Sequence, residues 1–146
     1  MSGAETGTGI RRILCKLSGE ALMGDQDLGI SHDMLEYVSD EISTAVQRGA
    51  QVANVVGGGN IFRGLSSAAG NMDRVPADQM GMLATVMNAI AIAENLNRND
   101  IPATVLSAIP VGSFTEIFSR RLALEYLESG KVVIFAAGTG NPFFTT

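Results

Sequence analysis

The sequence predicts an α/β fold, a three-layer α/β/α arrangement in which a mainly parallel sheet carries helices on its faces. Short apolar runs alternate along the chain with longer segments of helical spacing, and parallel neighbours need crossovers of about a dozen residues or more. Three of the four apolar runs also end in glycine-rich or otherwise unusual loops, as the carboxyl ends of ligand-binding strands do. With 146 residues, 46% of them hydrophobic and 17% charged, and a mean hydropathy of +0.22, the chain is expected to fold as one soluble globular domain. A chain of this size buries about 68–70% of the surface its unfolded form exposes, enough for a core without staples.

Taken in order, residues 1–9 (MSGAETGTG) are small and polar and read as a flexible tail. Residues 13–18 (ILCKLS) are apolar except for Lys16, a pattern expected of a strand buried on both faces. A loop over residues 23–29 follows, and Ser31 offers an N-cap with Asp33 in the first turn. Leu35, Val38, Ile42 and Val46 fall at helical spacing, and Gly49 stands where a terminating glycine belongs. Residues 51–56 (QVANVV) form the second strand, stopped by Gly57, Gly58 and Gly59, and a short helix starts near Asn60. Pro76 and Asp78 are expected to open a long helix over residues 78–97, with Met80, Leu83, Met87, Ile90 and Ala91 as its apolar face. The third strand covers residues 103–108, a helix residues 115–129, and the fourth strand residues 131–136.

Composition excludes several classes of function. Ten basic against fifteen acidic residues give a net charge of -5, and the basic residues are scattered, so no footprint for a nucleic-acid backbone exists. No apolar run approaches the roughly 18 residues of a membrane span, and the first residues lack the pattern of a signal peptide, which predicts a cytoplasmic chain without membrane contact. One cysteine, Cys15, and one histidine, His32, make neither a disulfide framework nor a zinc site. Cys15 reads as a small buried hydrophobe, His32 as a surface residue, and no nucleophile signature supports a catalytic triad.

The loops carry the chemistry. A glycine-rich turn between strand and helix lets backbone N–H groups approach an anion, and Gly57, Gly58 and Gly59 have that placement with Arg63 one turn later. The same glycines also suit a tight turn that merely packs helix on sheet. No P-loop signature occurs, and Phe62 and Phe143 stand where the third glycine of a dinucleotide pattern would fall. Lys16, one of two lysines, is either a snorkelling strand-end cation or the charge that neutralises a transferring phosphoryl group. Asp78 is either a helix N-terminal carboxylate or an acceptor for sugar hydroxyls. The closing stretch GTGNPFFTT offers backbone donors, hydroxyls and a flat apolar surface, a combination suited to a nucleoside phosphate. The loops after the first, second and fourth strands are expected to converge.

Together, KLSGEAL from Lys16, VVGGGNIFRG from Val55, RVPADQMGMLATVMN from Arg74, SAIP from Ser107 and AGTGNPFFTT from Ala137 resemble the bacterial uridylate (UMP) kinases of the amino-acid kinase family. The resemblance covers residues 10–146 and implies ATP-dependent phosphorylation of UMP to UDP with magnesium, in a homohexamer with GTP or UTP as effectors. It implies ATP-phosphate roles for Lys16, Leu17, Ser18, Gly19, Gly59 and Arg63, of which Lys16 and Arg63 would be catalytic. It implies UMP contacts for Gly58, Asp78, Thr139, Gly140, Asn141, Pro142, Phe143, Phe144, Thr145 and Thr146, with no metal ligand among them. Family members continue past this point into a half that holds adenine, so residues 10–146 correspond to the N-terminal, UMP-binding part of an amino-acid-kinase-like domain with the C-terminal half missing. Two readings follow: a UMP kinase, or a catalytically incomplete fragment that binds UMP or assembles with other subunits. On either, unpaired edge and apolar surface predict that the isolated chain self-associates.

Overall fold

The computed structural model describes residues 9, 11–66 and 70–144, the side chains of residues 63–66 excepted. The expected tail therefore lies, apart from Gly9, outside the described residues, as do Thr145, Thr146 and the side chain of Arg63.

Five strands, β1 (Arg12–Leu17), β2 (Gln51–Val56), β3 (Ala103–Ser107), β4 (Glu116–Ile117) and β5 (Val132–Ala136), form one sheet. Its order is β1-β2-β5-β3-β4, and every pairing is parallel. Among the described residues four α-helices connect them: α1 (His32–Gln47) after β1, α2 (Gly59–Ser66) and α3 (Arg74–Arg98) in succession after β2, and α4 (Arg120–Glu128) before β5. The last strand in sequence, β5, is the middle one in space, pairing Ala53 with Val133 on one side and Val105 with Ile134 on the other.

Alternation along the strands divides the core in two. Val52, Val56, Val132 and Ile134 pack with Ile42 of α1 and with Ile92 and Leu96 of α3 on one face. Ala53, Val133 and Leu106 meet Ala123 and Leu127 of α4 on the other. Each large aliphatic side chain so buried contributes about 1.5–3 kcal/mol relative to leaving it in water.

Several local expectations hold for the reasons given. The Ser31 hydroxyl accepts from the Met34 N–H and caps α1, and Gly49, at φ 88°, ends it. Others need correction. The first strand is not buried on both faces: β1 pairs only with β2 among the described residues and forms an edge of the sheet. Its outward face lies beyond the reach of α4, leaving Leu14 63% exposed and Lys16 exposed as well. Cys15, on the inward face, is half-buried rather than buried.

The long helix begins at Arg74, four residues before the expected start. Pro76 is tolerated in its first turn because N–H groups there have no partner within the helix. Its buried stripe is Met82, Val86, Ala89, Ile92, Ala93 and Leu96, whereas Leu83, Met87 and Ile90 are exposed. The helix is apolar around most of its circumference, so two stripes one residue out of phase satisfy the same spacing, and tertiary contacts choose between them. The helix expected over 115–129 is confined to α4, capped by the Ser119 hydroxyl. Ahead of it, Glu116 and Ile117 pair with Leu106 and Ser107 as β4.

Candidate active site at the carboxyl end of the sheet

The loops after β1, β2 and β5 do converge, and glycine makes the approach possible. A Cβ on Gly19 would stand 2.5 Å from Asn60 Oδ1 and 2.7 Å from the Gly59 nitrogen. On Gly58 it would stand 2.8 Å from Ala84 Cβ and 3.1 Å from both the Gly81 oxygen and the Thr85 nitrogen of α3. On Gly140 it would stand 2.9 Å from the Ala108 oxygen, just past β3. The first loop thus rests on the second, the second on α3 and the third on the residue after β3, each at a glycine with no room for a Cβ.

Two cavities flank Gly57. One, of about 220 Å³, is lined by Gly57, Gly58 and Gly59, by Asp78 and Gly81 of α3, and by Gly138 among others. The second, of about 140 Å³, is bounded by Lys16, Leu17, Ser18, Val55 and Gly57. Lys16 is exposed at the end of an edge strand, so it carries its charge in solvent rather than against a burial penalty. Ser18 turns the chain after β1: its hydroxyl accepts from the Glu20 N–H at 3.2 Å, and the Leu17 carbonyl accepts from the Gly57 N–H at 2.8 Å. Gly59 opens α2, and Arg63 lies on it with its side chain outside the described residues. A larger apolar cavity of about 280 Å³, lined by Phe118, Phe135 and Leu106 among others, opens on the α4 face and has no polar side chain to orient a ligand.

Asp78 stands one turn inside α3 rather than at its start, because the helix begins early. Its Oδ2 accepts the Phe143 N–H at 2.6 Å, and Arg74 Nε lies 3.2 Å from Oδ1 and 3.1 Å from Oδ2. The Arg74 guanidinium also lies 5.0 Å from the centroid of the Phe143 ring. An ionised carboxylate has about four acceptor positions, so one on Oδ1 remains for a ligand hydroxyl. The Phe143 N–H, then the Arg74 guanidinium, hold the Asp78 carboxyl below its ordinary value.

A carboxylate held low contributes its stabilisation above the ordinary value and loses it as pH falls through the lowered one. The Phe143 amide resonance should therefore titrate with its midpoint below the ordinary 3.8 of an aspartate. Movement centred above that value in an NMR titration would contradict the clasp.

The loop that carries Phe143 is internally bonded. The Thr139 hydroxyl donates to the Phe144 carbonyl and accepts from the Asn141 N–H at 3.3 Å. The Gly140 N–H donates to the Ala137 carbonyl at 2.8 Å. Pro142 is half-buried, while Phe143 and Phe144 are exposed. Thr145 and Thr146 fall outside the described residues.

Three residues of the site were not foreseen. Asn60 and Asn88, both fully buried, form a reciprocal amide pair at 2.7 and 3.0 Å. Asn60 Nδ2 also donates to the Gly29 carbonyl, and Asn88 Nδ2 to the Gly57 carbonyl at 2.7 Å. The Thr85 hydroxyl accepts from the Ala137 N–H at 2.7 Å. One turn of α3 thereby holds the loops after β2 and β5. The available signal was a threonine and an asparagine three residues apart in an otherwise apolar helical run.

Among the described residues no three His, Cys, Asp or Glu side chains cluster so as to hold a metal ion. No helix among them is long and apolar enough to cross a membrane.

Comparison with known proteins bears on this arrangement. The chain is 56% identical over 136 residues to a uridylate kinase of Ectopseudomonas mendocina, an alignment covering 93% of this chain and 55% of that protein. It is similar in structure to a UMP kinase of Bacillus anthracis, with a TM-score of 0.86 at 37% identity, over 92% of this chain and 56% of the other. A UMP kinase of Ureaplasma parvum gives a TM-score of 0.85 at 35% identity, over 94% and 58%. The chain thus spans about half the length of the curated relatives it matches. Residues 11–143 match the amino acid kinase family, and with the parallel sheet and its converging loops they establish that the chain belongs to that family.

Proposed function

We propose that this chain forms the acceptor site and part of the phosphate cradle of a uridylate kinase, which transfers the γ-phosphoryl group of ATP to UMP. The observation that carries the reading is the pair of cavities meeting at Gly57, one beside the Asp78 carboxylate and the other beside the Lys16 ammonium. In that arrangement a phosphate oxygen of UMP attacks the γ-phosphorus, the bond from that phosphorus to the bridging oxygen breaks in line with the attack, and ADP leaves. Such a transfer needs positioning and charge neutralisation more than covalent chemistry from the protein.

Each residue has a place in this scheme. The remaining lone pair of Asp78 Oδ1 accepts from a ribose hydroxyl. Gly58 lets backbone approach the UMP phosphate, and the loop of Thr139, Gly140, Asn141, Pro142, Phe143 and Phe144 surrounds base and phosphate, continued by Thr145 and Thr146. Lys16 and Arg63 neutralise charge on the ATP phosphates, with Leu17, Ser18, Gly19 and Gly59 supplying close backbone. Magnesium would enter with ATP, held by phosphate oxygens and by groups beyond those described. The whole protein would act in the cytoplasm as a homo-oligomer, a hexamer under GTP or UTP control.

A second reading, a fragment that binds UMP without transferring phosphate, draws on the match to about half of each relative and on the open outer face of β1 at Leu14. Calorimetric titration of the chain with UMP, against CMP and AMP, tests the acceptor site common to both. Selective uptake of UMP is the expected result; a folded chain that takes up none of the three, or all alike, overturns it. Transfer from ATP to UMP by the same preparation then separates enzyme from binding module.

A further inference from the structure

Ala137 is the residue at which β5 gives way to the glycine-rich loop, and its backbone stands at φ 67°. A residue with a side chain is disfavoured in that left-handed conformation by about 1–2 kcal/mol, so a contact must compensate. Ala137 is completely buried, and its N–H donates to Thr85 Oγ1 at 2.7 Å. The Thr85 hydroxyl in turn donates to the Met82 carbonyl at 2.7 Å. Its single proton is thereby committed to α3, which leaves a lone pair aimed at the strand end. Thr85 is itself buried, and although it borders the cavity that Asp78 lines, its hydroxyl is already engaged on both sides.

We infer that Thr85 is a positioning residue for the acceptor site: it locks Ala137 in its left-handed conformation and so sets the direction in which residues 138–141 leave β5 toward the cavity. It acts through the backbone of Ala137, since its hydroxyl is engaged by protein on both sides. The inference rests on reading that cavity as the UMP site. Without the hydroxyl, Ala137 relaxes to a negative φ, and Gly138, which lines the cavity beside it, is carried out of place. Asn88, one helical turn further along, performs the matching task on the other loop through the Gly57 carbonyl.

Thr85→Val preserves the shape of the side chain and removes the hydroxyl; Thr85→Ser keeps the hydroxyl and removes the methyl group. Two quantities are measured on the chain and both variants: UMP affinity by calorimetry, and amide hydrogen exchange over residues 136–141 without nucleotide. Thr85→Val is expected to weaken UMP binding by about tenfold and to speed exchange at Ala137 by at least that factor, the scale of one buried hydrogen bond. Thr85→Ser is expected to restore both to within about threefold of the original chain.

A folded Thr85→Val variant with unchanged affinity, or a serine variant as impaired as the valine one, overturns the inference. If the original chain takes up no UMP, the reading of the cavity fails, and exchange alone decides the lock: protection lost with valine and regained with serine upholds it, protection unchanged overturns it. If Thr85→Val does not fold, the original chain decides, since an Ala137 amide exchanging as fast as an exposed loop amide contradicts the lock and a strongly protected one supports it.

Discussion

Replacing Gly58 with alanine is expected to abolish UMP uptake and to lower the unfolding midpoint. The added methyl carbon would lie 2.8 Å from Ala84 Cβ and 3.1 Å from two backbone atoms of α3, the Gly81 oxygen and the Thr85 nitrogen. None of these is the end of a flexible side chain, so helix and loop must separate. Overpacking of this kind destabilises by about 1–3 kcal/mol, and the separation widens the cavity that Gly58 and Asp78 share. Urea denaturation and calorimetry on the same sample check both effects. A Gly58→Ala chain with the original midpoint and affinity would mean that the glycine loop does not rest on α3.

The second large effect is expected from Asn88→Leu. This change deletes the donor to the Gly57 carbonyl and both halves of the reciprocal pair with Asn60. Asn60 remains fully buried with only the Gly29 carbonyl still bonded to its amide. Each buried polar group left without a partner costs about 1–3 kcal/mol, so the total loss should be several kcal/mol. Replacing both asparagines by leucine should destabilise by less than the sum of the single changes, because the second substitution removes a group the first had orphaned. Strict additivity in urea denaturation would show that the two amides do not depend on each other.

Most strands were legible in the sequence because a buried parallel strand is a short apolar run with little else to be, and residues 51–56 and 103–108 announce themselves that way. Caps were legible at Ser31 and Gly49, where one residue type satisfies a local backbone need. The phase of α3 was not. Its apolar residues lie nearly all round, and the contacts with α1, the sheet and the loops decide that Met82 turns inward and Leu83 outward. Nor could one strand reveal its neighbours, which is why Lys16 was expected in a doubly covered strand and stands at an edge. At the site, glycine clusters marked the loops, since three consecutive glycines suit the interior of neither a helix nor a strand. The contact of Asp78 with the Phe143 N–H joins residues distant in sequence, and the engagement of Thr85 depends on the strained backbone of Ala137. Neither leaves a trace in residue spacing.

The central position of β5 governs when this molecule can come into being. As the chain emerges during synthesis, β1 and β2 can pair early, but Val52 and Val56 find part of their covering only in Val132 and Ile134. Ala53 likewise waits for Val133, and Val105 for Ile134. Until the last strand arrives, both β2 and β3 present unpaired backbone toward the gap it will fill, and contacts between such remote residues form slowly. A nascent chain halted before Val132 is left with two half-sheets and a core open along the seam between them, surface of the kind that makes a folding intermediate prone to aggregate.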